Sequence, residues 1–370
     1  MGKKIIINGA DFSANAIPVA KAINGTTSPQ YVYIANVANP PEGFDWDSCK
    51  KEIQIQTDGS ITSFNLPQNT VALPNFVCGS AESNNWLKEI DLSYLSVYPI
   101  SSIRKMLSYC NALERVILGG KFNSLTGRAA VLYFLYGSDA ANVIIDDGFD
   151  APNLISLDSM FCNAHISSIK GLKNLITASI TNVAALFAGC SVQEIDLTGC
   201  DFGNVTNFNY LFKYCSSLKK FIAINEIDTR KGTSFVEAFR DCGSTGHFGT
   251  LDISNWTIAN NANTKMMFYD ASIYELNANC LNALHGDVTG MFYMKGWNTI
   301  HLDNLNDVSG ITQSTNFFRN YVSGRPKLTI ANVTNQDVKI FLINALNTSA
   351  VWGSSTWHES TIDGVLCLVP

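Results

Sequence analysis

Five histidines, His165, His247, His285, His301 and His358, are the side chains best suited to proton transfer or metal ligation near neutral pH. They are scattered along the chain, and none stands in a nucleophile or metal motif. The sequence has no Gly-x-Ser-x-Gly, no phosphate-loop Gly-x-x-x-x-Gly-Lys-Ser/Thr and no His-Glu-x-x-His. Asp146-Asp147 and Asp241-Cys242 lack the ligand spacing of a calcium loop. The ten cysteines include no Cys-x-x-Cys and no His/Cys pair at zinc spacing. Acid pairs that cleave glycosides lie far apart in sequence. A carbohydrate-active enzyme is therefore kept as an alternative, one that needs a pocket joining several segments. The expectation is a protein without catalysis, metal or other cofactor.

Four of the cysteines explain themselves differently. Cys110, Cys190, Cys215 and Cys242 each follow a Leu or Phe by three residues, at Leu107, Phe187, Phe212 and Phe239. The same landmark recurs without Cys at Leu135, Phe161, Phe268, Phe292 and Phe318, with successive intervals of 28, 26, 26, 25, 27, 29, 24 and 26 residues. A fixed period in the twenties marks a solenoid, whose units are too short to bury a core without neighbours. The cysteines then stack as a column of buried core thiols, as suits a reducing compartment.

Each landmark alternates with a strand signal. Ile90/Leu92, Val116/Leu118, Val143/Ile145, Ile195/Leu197, Leu251/Ile253, Ile300/Leu302 and Leu328/Ile330 show the period-2 pattern of one buried face. Phe208, Leu211, Phe212 and Cys215 lie at helix-like spacing. The expected fold is therefore an α/β repeat solenoid, leucine-rich-repeat-like, with a parallel sheet of short strands, short helices opposite, and caps at both ends.

The unit from Leu197-Thr-Gly-Cys-Asp-Phe-Gly-Asn-Val-Thr-Asn to Phe212-Lys-Tyr-Cys215 resembles the repeat of the BspA-like leucine-rich-repeat family, as does Leu251-Asp-Ile-Ser-Asn-Trp256 through Phe268-Tyr-Asp-Ala271. The resemblance covers roughly residues 85 to 335. The unit at Leu135 and the lengthened stretch Thr245-Gly-His-Phe-Gly249 depart from it. It implies a surface-displayed adhesion or protein-binding scaffold and supplies no site residues.

Three segments follow: an N-terminal cap or docking segment over 1–80, the solenoid over 81–333, and a C-terminal cap over 334–370. Within the first, Lys3–Ile7, Tyr31–Ala35 and Glu52–Gln56 read as strands, and Phe12–Ala16 reads as the start of a short helix. The opening Lys4-Ile-Ile-Ile-Asn-Gly-Ala-Asp-Phe-Ser-Ala-Asn-Ala-Ile17 is similar to the start of tail-associated proteins of phages and prophages from gut bacteria. That similarity implies a structural or receptor-binding tail protein as the second reading. Thr334–Leu346 reads as an amphipathic helix with Thr334 or Asn335 as N-cap, and Gly364–Pro370 as a terminal strand.

Charged residues are only 15% and the net charge is −6, with basic residues no denser than pairs, which argues against a nucleic-acid partner. No apolar run reaches the roughly 18 residues of a membrane helix. Asn8 and Asp11 interrupt the only candidate for a secretory apolar region, so no signal peptide is visible in this chain. The expected location is a cell surface or a virion. The expected partner is a protein or a surface glycan, met on the outward sheet face. Its central row reads Asp91, Ile117, Ile144, Lys170, Asp196, Ile222, Asp252, Asn277, His301 and Thr329. The candidate binding residues are Ile117, Ile144, Lys170, Asp196, Ile222, Asp252 and His301. A register shift by one residue, or a covering segment, would instead take them out of contact with a partner. Tyr94, Tyr98, Tyr274 and Trp297 are further candidates for stacking on carbohydrate.

Overall fold

The computed structural model describes residues 87–93, 102–111, 113–245, 248–319, 326–348 and 356–370, and the backbone of short strands at 6–7, 10–11, 16–22, 30–35, 53–55 and 61–64. The chain divides into two compact units, Met1–Leu175 and Ile176–Pro370.

In the first unit the strands Leu87–Asp91, Arg115–Leu118, Asn142–Ile145 and Ser168–Lys170 pair in parallel in that order. Ile90, Val116 and Val143 share one register position and are all buried, as are Leu92, Leu118 and Ile145 two residues further on. The edge of Leu87–Asp91 is continued by the antiparallel strands Ala16–Ala22 and Gln30–Ala35. Ala16–Ala22 corrects the helix expected from Phe12–Ala16. Pro18 lacks the N–H that a helix interior needs, and Ile17 and Val19 are β-branched.

In the second unit Glu194–Asp196 pairs with Lys220–Ile222. A separate parallel ladder runs through Phe248–Asp252, Ile273–Asn277, Thr299–His301 and Lys327–Thr329. The strand Val365–Val369 lies antiparallel on Lys327–Thr329 and forms a hairpin with His358–Ile362. The helix Gln336–Asn347 starts at Asn335, whose side chain accepts the Asp337 N–H at 2.9 Å, and it buries Val338, Leu342 and Leu346.

The short helices expected opposite the strands are not helices. Around Phe212, the N–H groups of Tyr210, Phe212 and Tyr214 donate to the carbonyls of Val236, Ala238 and Arg240 on the next rung, at 2.9, 2.8 and 2.7 Å. The intervening N–H groups of Leu211, Lys213 and Cys215 fold back to Phe208, Tyr210 and Phe212 at 3.3, 3.1 and 3.2 Å. The backbone thus alternates between a tight turn and a rung-to-rung bond. Phe239 and Phe268 repeat the pattern. Its geometric cause is a left-handed residue two before and two after the landmark in five units: Lys105 and Tyr109, Ser159 and Asn163, Tyr210 and Tyr214, Glu237 and Asp241, Met266 and Asp270, all with φ between 53 and 60°. A right-handed helix excludes that conformation at each of these sites. The Leu135 unit, which departs from the repeat in sequence, keeps the device through Tyr133 and Gly137.

The landmark side chains form the core of the second unit. Phe187, Phe212, Phe239, Phe268, Phe292 and Phe318 stack with centroids 5.7, 5.4, 5.4, 5.6 and 5.6 Å apart. That separation follows from the roughly 4.8 Å spacing of neighbouring strands. Cys190, Cys215 and Cys242 are buried thiols behind them. Burial pushes the Cys242 thiol up to about 12, so it stays protonated and unreactive. Cys110, expected as a fourth thiol of this kind, is instead disulfide-bonded, and its partner lies outside the described residues.

The polar corners are held by carboxylates that accept the N–H two residues on: Asp196 from Thr198, Asp228 from Arg230, Asp252 from Ser254 and Asp307 from Ser309, at 2.8–3.0 Å. The Arg230 side chain and backbone hold the Asp228 carboxyl down at about 2, and hydrogen bonds from Thr198 and Ser309 lower Asp196 and Asp307. These folded-state pKa values lie below the unfolded value near 3.9. Their contribution is complete above that pH and disappears as pH falls toward about 2. Melting temperature is therefore expected to drop between pH 4 and pH 2, and less steeply in Asp228→Asn. Thermal scans across that window test this; equal slopes would refute the role of Asp228.

Candidate functional site

The outward row is where the alternation places it. Asp91, Ile117, Ile144 and Lys170 occupy successive register positions in the first unit. Ile117 and Ile144 are half-buried and Lys170 is exposed. In the second unit Asp196 faces Ile222, and Asp252, Asn277, His301 and Thr329 form one line. Ile222 therefore lies beside Asp196, while Ile117 and Ile144 belong to the first unit.

His301 joins three rungs. Its Nε2 is 3.0 Å from Glu275 Oε1, its Nδ1 is 2.9 Å from Thr329 Oγ1, and Asp303 lies 3.9 Å away. A carboxylate, an imidazole and a hydroxyl in line is the arrangement of a hydrolase triad. Here the hydroxyl is buried: Thr329 is 3% exposed, and its strand is paired on its other side with Val365–Val369. A nucleophile must meet its substrate, so this arrangement ties rungs together instead. Trp297, a candidate for stacking on sugar, is fully buried against Phe318 and Trp357, which rules it out as a platform. Tyr274 is 56% exposed, and Tyr94 and Tyr98 lie outside the described residues.

A second surface, on the landmark turns of the second unit, is not apparent from the sequence. Tyr210 and Tyr214 flank Lys213, whose Nζ is 4.8 and 4.9 Å from their ring centroids. Lys213 bonds Glu237 on the next rung at 2.6 Å, and Arg240 bonds the same carboxylate at 3.1 Å. Burial pulls the Glu237 carboxyl upward, but these cations outweigh it and hold it below the usual range. The Arg240 guanidinium lies 5.8 Å from the Tyr214 ring and 4.9 Å from that of Tyr269, which stacks on Tyr293 at 4.6 Å. Lys295 reaches Asp241 and Asp270 at 3.4 and 3.5 Å. Tyr and Arg held in place by packing are the side chains that dominate recognition surfaces. Their signal in the sequence is the set of positions −2, +1 and +2 from each landmark. It is invisible until the turn geometry shows that these positions share a face.

Among the described residues no cluster of three or more His, Cys, Asp or Glu side chains is arranged to hold a metal ion. No described helix is long and apolar enough to cross a membrane. A family model described as "Mycoplasma protein of unknown function, DUF285" matches residues 133–245 and again 181–305. The two matches overlap, as happens when one model is laid twice on a repeating chain. No curated protein and no solved structure matches the chain significantly.

Proposed function

We propose that this chain is a non-catalytic recognition protein of the BspA-like leucine-rich-repeat type. In this reading it is a rigid scaffold that binds a partner protein or a surface glycan in adhesion, displayed on a cell surface or a virion. The observation that carries the proposal is the surface of Tyr210, Lys213, Tyr214, Arg240 and Tyr269, fixed on a backbone whose donors are satisfied by turns and by the next rung. Such a surface loses little side-chain freedom on binding, which is the main cost of association. The likeness to the DUF285 model supports it as well, because that repeat family is related to the BspA-like surface repeat proteins.

The test is binding of fluorescently labelled protein to intact cells, comparing the native chain with a Tyr214→Ala/Arg240→Ala variant of equal melting temperature. Saturable binding reduced at least severalfold in the variant is the expected result. Equal binding by both proteins, or none by either, defeats the reading. Mass spectrometry of washed producing cells and of the particles they release decides between the two locations. Recovery from purified particles would assign the same scaffold to a phage tail.

A further inference from the structure

The ligand class of the landmark-turn surface follows from what lies on either side of its two exposed tyrosines. Tyr210 and Tyr214 have φ of 60 and 59°, and their N–H groups are anchored on Val236 and Arg240 of the next rung. Lys213 extends toward that same rung to meet Glu237, so it occupies the side of both rings that faces Glu237 and Arg240. On the preceding rung the corresponding positions are Ala185, Ala188 and Gly189. Their backbone is joined to the tyrosine rung by Ala185 N–H to Asn209 O at 2.8 Å and Gly189 N–H to Lys213 O at 2.7 Å. Three minimal side chains beside two large ones make a step, with Tyr210 and Tyr214 rising from it 36% and 47% exposed.

The charges of this surface cancel. Lys213, Arg240 and Lys295 are paired with Glu237, Asp241 and Asp270. A polyanion or polycation therefore finds no net field to favour it. What remains open on the side of Ala185, Ala188 and Gly189 is aromatic surface above a shallow floor, edged by the phenol hydroxyls of Tyr210 and Tyr214. A pyranose ring offers the complement: an apolar C–H face for the aromatic ring and hydroxyls for the phenol edge. We infer that the step formed by Ala185, Ala188 and Gly189 against Tyr210 and Tyr214 is a binding subsite for a sugar unit of an uncharged oligosaccharide. This rests on the recognition reading above and narrows it to glycan.

The experiment uses the full chain and hexasaccharides of β-1,4-linked glucose, N-acetylglucosamine and mannose, with a heparin hexasaccharide as anionic comparison, titrated calorimetrically at low and high salt. At least one neutral hexasaccharide is expected to bind with an affinity that salt leaves unchanged. Tyr214→Ala weakens it roughly tenfold, as expected for loss of one stacking contact, and Tyr214→Phe retains most of it. The decisive variant is Ala185→Tyr. Its position carries Tyr at the equivalent sites Tyr133 and Tyr210, in the same left-handed conformation, so the fold accepts it while the step is filled. Binding abolished at an unchanged melting temperature is the expected outcome. Binding that survives Ala185→Tyr, or binding of the heparin fragment alone with loss at high salt, overturns the assignment. If no hexasaccharide binds but labelled protein still adheres to cells through Tyr214 and Arg240, the glycan assignment falls and the recognition reading stands. If adhesion is absent as well, both fall.

Discussion

Phe239→Ala lowers the unfolding free energy of the second unit by about 3–5 kcal/mol, the range for deleting a buried phenyl ring whose surroundings cannot close. Phe239 is fully buried. It stacks between Phe212 and Phe268, each 5.4 Å away, and meets Trp256 at 6.0 Å and Phe221 edge-on at 6.1 Å. Collapse into the gap is opposed from both sides. Phe212 N–H is tied to Ala238 O and Phe239 N–H to Met267 O, both at 2.8 Å, so neighbouring turns keep their separation. Phe239→Leu refills most of the volume and costs less. Because each rung touches only its neighbours, amide exchange should accelerate first in residues 208–215, 235–242 and 264–271. Urea unfolding of the two variants measures the effect. A loss below about 1 kcal/mol for Phe239→Ala would mean that the column repacks and is not the rigid element described.

Gly171→Ala is expected to cost as much in the first unit, for a different reason. Gly171 has φ +77°, and a Cβ there would come within 1.9 Å of the Ile145 carbonyl oxygen and 3.0 Å of its carbon. The obstacle is backbone, so no side chain can move aside. Relief requires Ser168–Lys170 to shift against Asn142–Ile145, the strand that contains Ile145. A loss of roughly 3–5 kcal/mol follows, at the severe end for single substitutions. Gly127→Ala is the control. Its φ is +86°, but a Cβ there meets nothing within 4 Å, so it carries only the left-handed penalty of about 1–2 kcal/mol. Thermal melts of the two variants separate clash from conformational strain. Equal losses would mean that the close approach at Gly171 is relieved without cost.

The regularity around Phe239 and the isolated clash at Gly171 also mark how far residue patterns by themselves reveal this fold. The period, the landmark column and the inward face of the strands are legible in the sequence, because burial on one face of a ladder imposes strict alternation and stacking imposes a fixed interval. The register follows from them: Asp91, Ile117, Ile144 and Lys170 stand in line, as do Asp252, Asn277 and His301. The landmark segments imitate helices in sequence because consecutive turns closing on the third residue back place Phe208, Leu211, Phe212 and Cys215 on one side, as a helix would. The distinguishing residues are left-handed, but beside Gly137, Gly189, Gly290, Asn163 and Asn316 they are Tyr, Glu, Asp, Lys, Met, Ser and Ala, most of which do not announce this conformation. Tyr210, Lys213, Tyr214 and Arg240 stay hidden for the same reason. Their neighbourhood exists only once those turns are laid rung on rung.

The alternating bonding of the landmark turns separates what a residue does for the fold from what it shows to the outside. At positions two before, one after and two after each landmark, the rung is held through N–H and C=O groups, which every residue except proline supplies alike. Lys105, Tyr133, Ser159, Ala185, Tyr210, Glu237 and Met266 all occupy the first of these positions with the same backbone conformation. Where these side chains are exposed, as at Lys105, Tyr109, Tyr210 and Tyr214, the surface can be rewritten while the rung-to-rung bonds stay in place. For engineering, this makes the landmark turns a natural library surface: randomised positions, a constant frame, and a pitch that repeats with every rung.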